Sequence, residues 1–380
     1  MIMKTTLNRL LGRVAVTGIL TAEAIFTFAA KTTVCVNINV SATDSVAMAR
    51  EADDFLYEMP EGLQDRQRQA IDHALRGDGG ELTGIRSSRN KPFVGSESVI
   101  ATDIVIPVAI ASGSVSISSV KARLYRPKDA TGPLPLLIYL HGGGWTIGSI
   151  NSCAKFCDAL AATGKIAVLA PEYSLAPEHP LPEALLEAMG VFSYATKNAK
   201  SLGAAPDLIS LGGDSSGGNL AIATASAITC GKVKGEDAAA PRSLLLFYPV
   251  TRAYTDGSES WRRYGKGYGL DSRLMESFNE AYLSGPLEES VFSTEEMMLL
   301  ASPGDLNSER LASLPPTLLI AAEHDILFDQ GADLIEKMKR AGAKAERKVY
   351  PGTVHLFITV DGQPTAFRTA VTDAAAFLGK

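Results

Sequence analysis

The stretch Leu208–Ala223, LISLGGDSSGGNLAIA, decides the fold. It begins with apolar residues, as a buried strand does, and it ends with small residues, as a closely packed helix does. Between the two, Gly213–Gly217 has the pattern Gly-x-Ser-x-Gly. In a strand–turn–helix context this pattern indicates a nucleophile elbow. Glycine two positions before and after Ser215 lets the strand and helix approach, while the strained serine holds its hydroxyl clear of the sheet. The stretch therefore predicts Ser215 as a nucleophile on an α/β fold.

A glycine run upstream of Ser215 predicts backbone N–H groups that stabilise the negative charge formed during the reaction. His141–Trp145, His-Gly-Gly-Gly-Trp, directly follows the apolar strand Leu136–Leu140. Three glycines leave backbone N–H groups uncovered, so that a ligand atom can approach them closely. An ester carbonyl oxygen becomes an anion in the tetrahedral intermediate, and such a run supplies half of the oxyanion hole in lipases and esterases. We expect the amide of Ser216 to supply the other half.

Acid and base candidates follow in the order Ser, Asp or Glu, His that this arrangement requires. One apolar strand leads directly into Glu323, Asp325 and Asp329, and a later strand is followed by His355. Of the histidines beyond the acidic cluster's strand, only His355 follows every acid in the cluster. We assign His355 as general base and then acid, and Asp325 as the carboxylate that orients it. Glu323 and Asp329 remain alternatives for the acid.

From about residue 95 to its end, the chain resembles the hormone-sensitive lipase family of α/β-hydrolases, in its bacterial carboxylesterase branch. The resemblance rests on His141–Trp145, on Tyr173–Pro180 and on Gly213–Leu220, and Asp325 and His355 complete it. It is weaker over the preceding helical residues. The resemblance implies an α/β-hydrolase fold and a serine esterase activity.

The same resemblance implies roles for particular residues. It implies that Gly143 and Gly144 donate to the oxyanion together with Ser216, and that the triad acid is Asp325 rather than Asp329. Departures from the family pattern concern the residue after the nucleophile, the residue after Tyr173 and the segment after the acid. Ser216 replaces the usual alanine, and 326–329 lacks the usual proline and arginine. Ser174 replaces an arginine, which puts a structural ion pair near Glu178 in doubt.

Strands and helical patterns alternate along the chain, which indicates a mostly parallel sheet with helices on both faces. Two long strand-like runs precede six short ones that are near-continuously apolar, as buried parallel strands are. The connection over 251–313 is long and holds helical and aromatic segments, as a lid or binding element does. We expect a catalytic core at 96–250 and 316–380, and a helical cap over Ser215 at 43–95 and 251–315.

Residues 1–42 are predicted to be a leader outside the fold. Lys4, Arg9 and Arg13 precede an apolar run that ends in small residues, as in an export signal. Charged residues interrupt the apolar stretch, so it is not predicted to span a bilayer. A transit peptide or a misassigned start codon fits the same residues. We expect export to the periplasm or the medium, of a chain without an integral membrane segment.

Composition limits the partners of this chain. Its 380 residues are 46% hydrophobic and 21% charged, as in an ordinary globular protein with a large core. A net charge of -6 and a pI near 5.5 argue against nucleic acid as a partner. Cysteines and histidines show no zinc spacing, and we expect Cys153 and Cys157 to be buried free thiols on one helix. His73, His179 and His324 are predicted to be structural or surface residues.

The predicted chemistry is hydrolysis of a small-molecule ester through an acyl-enzyme, by a monomer or homodimer that needs no metal or organic cofactor. No long exposed apolar face marks the predicted cap, so we expect soluble short- to medium-chain esters as substrates. One alternative is a non-catalytic ligand receptor on the same fold. A resemblance to the plant gibberellin receptors would suggest this alternative. It also implies that the triad histidine is missing, whereas this chain has His355 at that position. Hydrolysis of amides or thioesters would use the same triad.

Overall fold

One sheet organises the computed structural model, which describes residues 40–112, 115–231, 239–285 and 291–380. The eight strands found among these residues are β1 (Val99–Ser112), β2 (Val115–Pro127), β3 (Leu134–Leu140), β4 (Ala167–Pro171), β5 (Ala204–Asp214), β6 (Leu244–Phe247), β7 (Thr317–His324) and β8 (Ala345–Val354). Their order in the sheet is β1-β2-β4-β3-β5-β6-β7-β8. β2 pairs antiparallel with β1 and β4, and the other neighbours are parallel. The predicted mostly parallel sheet is confirmed.

Helices occupy the connections between strands. In the described residues they are α1 (Ala42–Glu58), α2 (Leu63–Leu75), α3 (Gly80–Arg89), α4 (Ala154–Ala161), α5 (Glu183–Lys197), α6 (Ser216–Thr229), α7 (Glu259–Arg263), α8 (Ser272–Tyr282), α9 (Thr294–Ala301), α10 (Ser308–Ala312), α11 (Phe328–Arg340) and α12 (Pro364–Leu378), with a 3₁₀ turn at Pro303–Asp305. Residues 59–62 separate α1 from α2, and Gly62 adopts a left-handed conformation there with φ +68°. The sequence did not predict α3.

The side-chain alternation of the strands divides the core into two layers. In β3, Leu136 and Ile138 belong to a cluster that contains apolar residues of α5, α6 and α11. Leu137 and Tyr139 face the other way, into a cluster with apolar residues of α1, α4 and α12. The sheet is therefore covered by helices on both faces, which explains why its central strands are apolar at consecutive positions.

Parallel pairing brings the carboxyl ends of β3, β5, β7 and β8 to one edge of the sheet. The glycine run follows β3, Ser215 follows β5, Asp325 follows β7, and His355 follows β8. Residues far apart in sequence thus meet in the crevice outside the strand ends, where open α/β sheets bind ligands.

The helices of the predicted cap pack in two different places. α2 packs against α3 and against α8 of the long connection, whereas α1 packs against β8 and α12. The assignment of 43–95 and 251–315 to one cap remains a prediction. The predicted leader lies outside the described residues except for 40–42. Among the helices of the described ranges, none has the length and apolar character needed to cross a membrane.

Candidate active site

Ser215 occupies a sharp turn between β5 and α6. Its backbone has φ 53° and ψ -120°, a conformation that non-glycine residues rarely adopt. A Cβ at Gly217 would overlap the carbonyl oxygens of Leu140 and His141, so only glycine allows α6 to lie this close to β3. The Ser215 amide donates to Phe247 O at 3.0 Å, which ties the strained turn to the neighbouring strand. The strain is held by the surrounding core, as is common at functional sites.

His355 and Asp325 stand in line with this serine. His355 Nε2 lies 3.1 Å from Ser215 Oγ, and His355 Nδ1 lies 2.6 Å from Asp325 Oδ2. All three residues are at most 5% exposed. The other oxygen of Asp325 accepts from the Leu327 amide at 2.9 Å, which fixes the carboxylate. The geometry is that of a nucleophile, a base and an orienting acid.

The rival acids have other partners. Glu323 accepts a hydrogen bond from the Gly352 amide at 2.6 Å, and Asp329 accepts one from the Ser260 amide at 2.8 Å. His324 packs against the ring of Tyr264, 5.2 Å between centroids, and burial lowers its pKa. The structure therefore brings Asp325, and neither rival, to His355.

The glycine run after β3 lines the same cavity as Ser215. Gly143 and Gly144 have φ of 114° and 60°, which L side chains rarely adopt. Thr146 and Ile147 donate their amides to Gly143 O, which closes the turn. In the described part of the chain, the amides of Gly143 and Gly144 donate no backbone hydrogen bond. These two N–H groups, with that of Ser216 at the start of α6, could receive a developing oxyanion.

His141 supports this turn from beneath. It is fully buried and stacks on Tyr173, with 4.1 Å between ring centroids. Its carbonyl accepts the Tyr173 hydroxyl at 2.6 Å. Burial lowers the pKa of His141 to about 4, so its imidazole is neutral at pH 7. The His141 ring therefore supports the turn in its neutral form and contributes no charge to the site.

Asp214 joins the elbow to the glycine run. Its Oδ1 accepts the Tyr139 hydroxyl at 2.9 Å and the Gly142 amide at 3.0 Å, and Oδ2 accepts the Thr359 hydroxyl at 3.4 Å. Burial raises the pKa of this carboxyl to about 6, against the opposing effect of the hydrogen bonds from Tyr139 and Gly142. The residue before the nucleophile thus fixes the position of both halves of the site.

Helix α8 holds the glycine turn from above. A Cβ at Gly144 would overlap the ring of Phe278, so the ring packs directly on this glycine. One turn later, Tyr282 stacks on Trp145, with 4.2 Å between centroids and 4° between planes. Because positions i and i+4 share a helix face, Phe278 and Tyr282 together contact neighbouring residues of the turn.

A cavity of about 40 Å³ lies against Ser215 and His355. A water needs ~10–15 Å³ on this measure, so the cavity holds about three waters or a short acyl group. Its walls come from the glycine run, from α8 with the loop before it, and from α2 and α3. The remaining lining residues are Gln67, Arg89, Gly143, Gly144, Ile147, Gly269, Leu270, Leu274, Met275, Phe278 and Leu356.

Glu178 does form an ion pair, and its partner is Arg86 of α3. Its guanidinium makes two hydrogen bonds to the Glu178 carboxylate, at 2.9 and 2.8 Å. It also donates to Thr146 O at 2.8 Å and to Ala176 O at 2.7 Å. An arginine of α3 thus supplies the charge that Ser174 does not, while Ser174 donates to Glu187 through its amide and hydroxyl. Neither Arg86 nor α3 was predicted from the sequence; the signal that could have revealed the helix is the apolar pair Leu82 and Ile85, which is spaced as on one helix face.

The other predicted residues lie away from this centre. Cys153 and Cys157 are buried and free, as predicted. His73 and His179 are partly exposed and pair with Glu81 and Glu183. Among the described residues, no cluster of three or more histidines, cysteines or carboxylates could hold a metal ion.

Comparison with known proteins agrees with the fold. The family described as alpha/beta hydrolase fold matches residues 137–359. The chain is 33% identical over 246 residues to the carboxylic ester hydrolase LipN of Mycobacterium tuberculosis, covering 63% of this chain and 61% of that protein. It is 33% identical over 238 residues to ethyl acetate hydrolase of Pseudomonas putida, covering 62% and 70%.

Solved structures of esterases share the fold. An ester hydrolase from the metagenome of Lake Arreo superposes with a TM-score of 0.68 at 28% identity, over 87% of this chain and 97% of that one. An esterase of Pyrobaculum calidifontis superposes with a TM-score of 0.66 at 28% identity, over 86% and 96%. The chain belongs to the alpha/beta hydrolase fold family, in its hormone-sensitive-lipase-like branch. The predicted fold and family are confirmed.

Proposed function

We propose that the protein is a serine carboxylesterase that hydrolyses short- to medium-chain esters, with Ser215 as nucleophile, His355 as general base and acid, and Asp325 as orienting carboxylate. The observation that carries this proposal is the buried line from Ser215 Oγ to His355 Nε2, at 3.1 Å, and from His355 Nδ1 to Asp325, at 2.6 Å. Relatives named as carboxylic ester hydrolase and ethyl acetate hydrolase support the choice of esters.

In this mechanism Ser215 attacks the ester carbonyl while His355 removes its proton. The amides of Gly143, Gly144 and Ser216 stabilise the oxyanion, His355 protonates the departing alcohol, and an acyl-enzyme remains. Water then repeats the sequence in reverse roles and releases the acid. Asp325 holds the imidazole in the required tautomer and stabilises its protonated form.

The histidine assignment has a matched control in the chain. We expect His355→Ala to lower turnover nearly as much as loss of Ser215, because the two side chains act as a unit. His324→Ala should retain most activity, since that ring packs on Tyr264 and lies outside the line. Equal losses in the two folded variants, measured on 4-nitrophenyl acetate, would contradict the assignment.

The size of the cavity limits the substrate. About 40 Å³ beside Ser215 accommodates a short acyl chain, and each added methylene contributes up to about 0.8 kcal/mol only until the space is full. A series of 4-nitrophenyl esters from acetate to dodecanoate tests this. We expect kcat/KM to peak at short to medium chains and no activation at an oil–water interface. A preference for emulsified long-chain triglycerides would favour a true lipase instead.

A further inference from the structure

Two polar side chains in the cavity wall have no part in the proposed mechanism. Gln67, on α2, is only 4% exposed, and Arg89, the last residue of α3, is partly buried. Both line the cavity that contains Ser215 and His355. Within the described ranges, neither side chain forms a hydrogen bond or an ion pair.

Arg89 differs from the neighbouring arginines in this respect. Arg68 pairs with Asp72 at 2.9 Å, and Arg86 pairs with Glu178 at 2.8 Å. Burial lowers the pKa of Arg89, with no opposing effect from a carboxylate, although a guanidinium stays protonated in proteins. Glu81, which lines the same outer cleft, bonds instead to His73 at 3.1 Å. A desolvated cation without a partner is unfavourable, so this position favours an anion that the described residues do not supply.

The Arg89 guanidinium lies beside the path that a substrate would take to Ser215. Gln67 and Arg89 line the 40 Å³ cavity and also an open cleft of about 550 Å³ between α2 and α3. They therefore stand at the junction between the reacting centre and the solvent-facing cleft. One end of an ester whose carbonyl reaches Ser215 would pass this junction.

We propose that Arg89, assisted by Gln67, selects esters that carry a carboxylate at the end directed towards the α2–α3 cleft. The planar guanidinium presents two parallel N–H donors that match a carboxylate, and the Gln67 amide adds a further donor. The inference rests on the proposed esterase activity and adds the class of substrate. The carboxylate belongs either to the acyl part, as in a half-ester of a dicarboxylic acid, or to the alcohol part, as in the acetyl ester of a hydroxy acid.

Two pairs of substrates distinguish these sources. The acyl pair is 4-nitrophenyl hydrogen succinate and its neutral methyl ester, and the alcohol pair is 3-acetoxybenzoate and its methyl ester. We expect the wild type to prefer the anionic member of one pair by ~10-fold or more in kcat/KM, and raised salt to reduce this preference. In Arg89→Met, the anionic member should lose ~10- to 100-fold more than the neutral member. Arg89→Lys should restore part of the preference, since it returns the charge without the planar fork.

Arg66→Met is the matched control. Arg66 lines the same cleft, but its guanidinium already donates to Glu61 O at 2.8 Å. We expect this variant to leave the ratio of anionic to neutral activity unchanged. Equal loss in Arg66→Met would indicate a general field and overturn the proposal. Equal loss on both members of a pair in Arg89→Met, or no anionic preference in either pair, would overturn it too, while the esterase function stands.

A binding measurement separates this inference from the proposed function. Calorimetry with monomethyl succinate and 3-acetoxybenzoate on the folded Ser215→Ala protein needs no turnover. We expect one of them to bind, and Arg89→Met in that background to weaken binding at least ~10-fold. If the wild type hydrolyses no ester but this dependence on Arg89 holds, the esterase proposal fails and the anion site stands. If neither anion binds in an Arg89-dependent way, the site is overturned.

Discussion

At the carboxyl edge of the sheet, each side chain of the proposed triad directly follows a strand, whereas the cavity wall above it is assembled from α2, α3 and α8. The edge is fixed by backbone: Ser215 keeps a positive φ angle, and its amide is bonded to the neighbouring strand at Phe247. The wall is fixed by side-chain contacts, such as Gln64 accepting from the Asp271 amide at 2.6 Å. The comparison teaches that the chemistry depends on main-chain geometry, while the fit of the substrate depends on contacts between distant segments.

The largest expected effect follows from breaking the edge itself. Ser215→Ala should lower kcat by ~10³-fold or more, because only the oxyanion hole and binding remain. Ser216→Ala should have a slight effect, since Ser216 is proposed to act through its amide and its buried hydroxyl has no hydrogen-bond partner in the part of the chain that the structure describes. Steady-state kinetics on a 4-nitrophenyl ester checks both variants. Comparable losses would contradict Ser215 as the nucleophile.

The contact between edge and wall is tested at Gly144. We expect Gly144→Ala to lower kcat/KM by ~10- to 100-fold, because its Cβ overlaps the Phe278 ring and shifts an oxyanion donor. Phe278→Ala removes the obstacle. The double variant should therefore be more active than the sum of the two single effects predicts. Additive losses would show that the turn and α8 act independently.

Arg86→Met weakens the wall and leaves the edge in place. It removes two bonds to Glu178 and two to backbone carbonyls, so we expect a loss of about 1–2 kcal/mol in unfolding free energy. Solvent screens the Arg86–Glu178 pair, because the Glu178 side chain is 46% exposed, and this keeps the loss small. Urea denaturation measures it, with Arg50→Met on the exposed face of α1 as control. A change no larger than in the control would contradict this role.

Asp214 makes the stability of the edge depend on pH. Its pKa is about 6 in the folded chain and ~4 in an unfolded one, so the folded state binds more protons between these values. The stability that Asp214 contributes is therefore present below about pH 4 and is lost as pH rises through about 6. Asp214→Asn keeps an oxygen acceptor for Tyr139 and Gly142 but does not titrate. We expect the free energy of unfolding of this variant, measured with urea, to fall less between pH 4 and pH 7 than that of the wild type. An equal fall in the two proteins would contradict this role of Asp214.

The smallest effect concerns the predicted leader. A chain that begins at Val40 should retain full hydrolysis, because it keeps α1 and its cap, in which Ser41 Oγ accepts from the Asp44 amide. A chain that begins at Thr43 lacks this cap and should lose ~1 kcal/mol of stability with little change in kcat. Thermal unfolding and ester hydrolysis compare the two. A folded but inactive Val40 chain would place the removed residues in the cap.

The residues at the edge could be singled out from the sequence because each of them has a local signal. Ser215 lies in a motif between a strand and a helix, and Asp325 and His355 follow apolar strands whose parallel pairing brings their ends together. The wall lacked such signals. Arg86 and Glu178 are 92 residues apart, and neither is unusual in its own segment. Arg89 became notable only when packing showed that it has no partner among the described residues, which is a property of its three-dimensional surroundings.

The packing of Phe278 and Tyr282 on the glycine turn limits how this protein can diversify. Randomising either position in a library would alter the acyl space and disturb the proposed oxyanion donors together, so most variants with a new pocket shape would lose turnover. Gln67 and Arg89 border the same cavity from α2 and α3, and the ring that packs on Gly144 is that of Phe278. New substrate ranges should therefore arise mainly through substitutions in α2 and α3, with α8 kept nearly invariant during selection for activity.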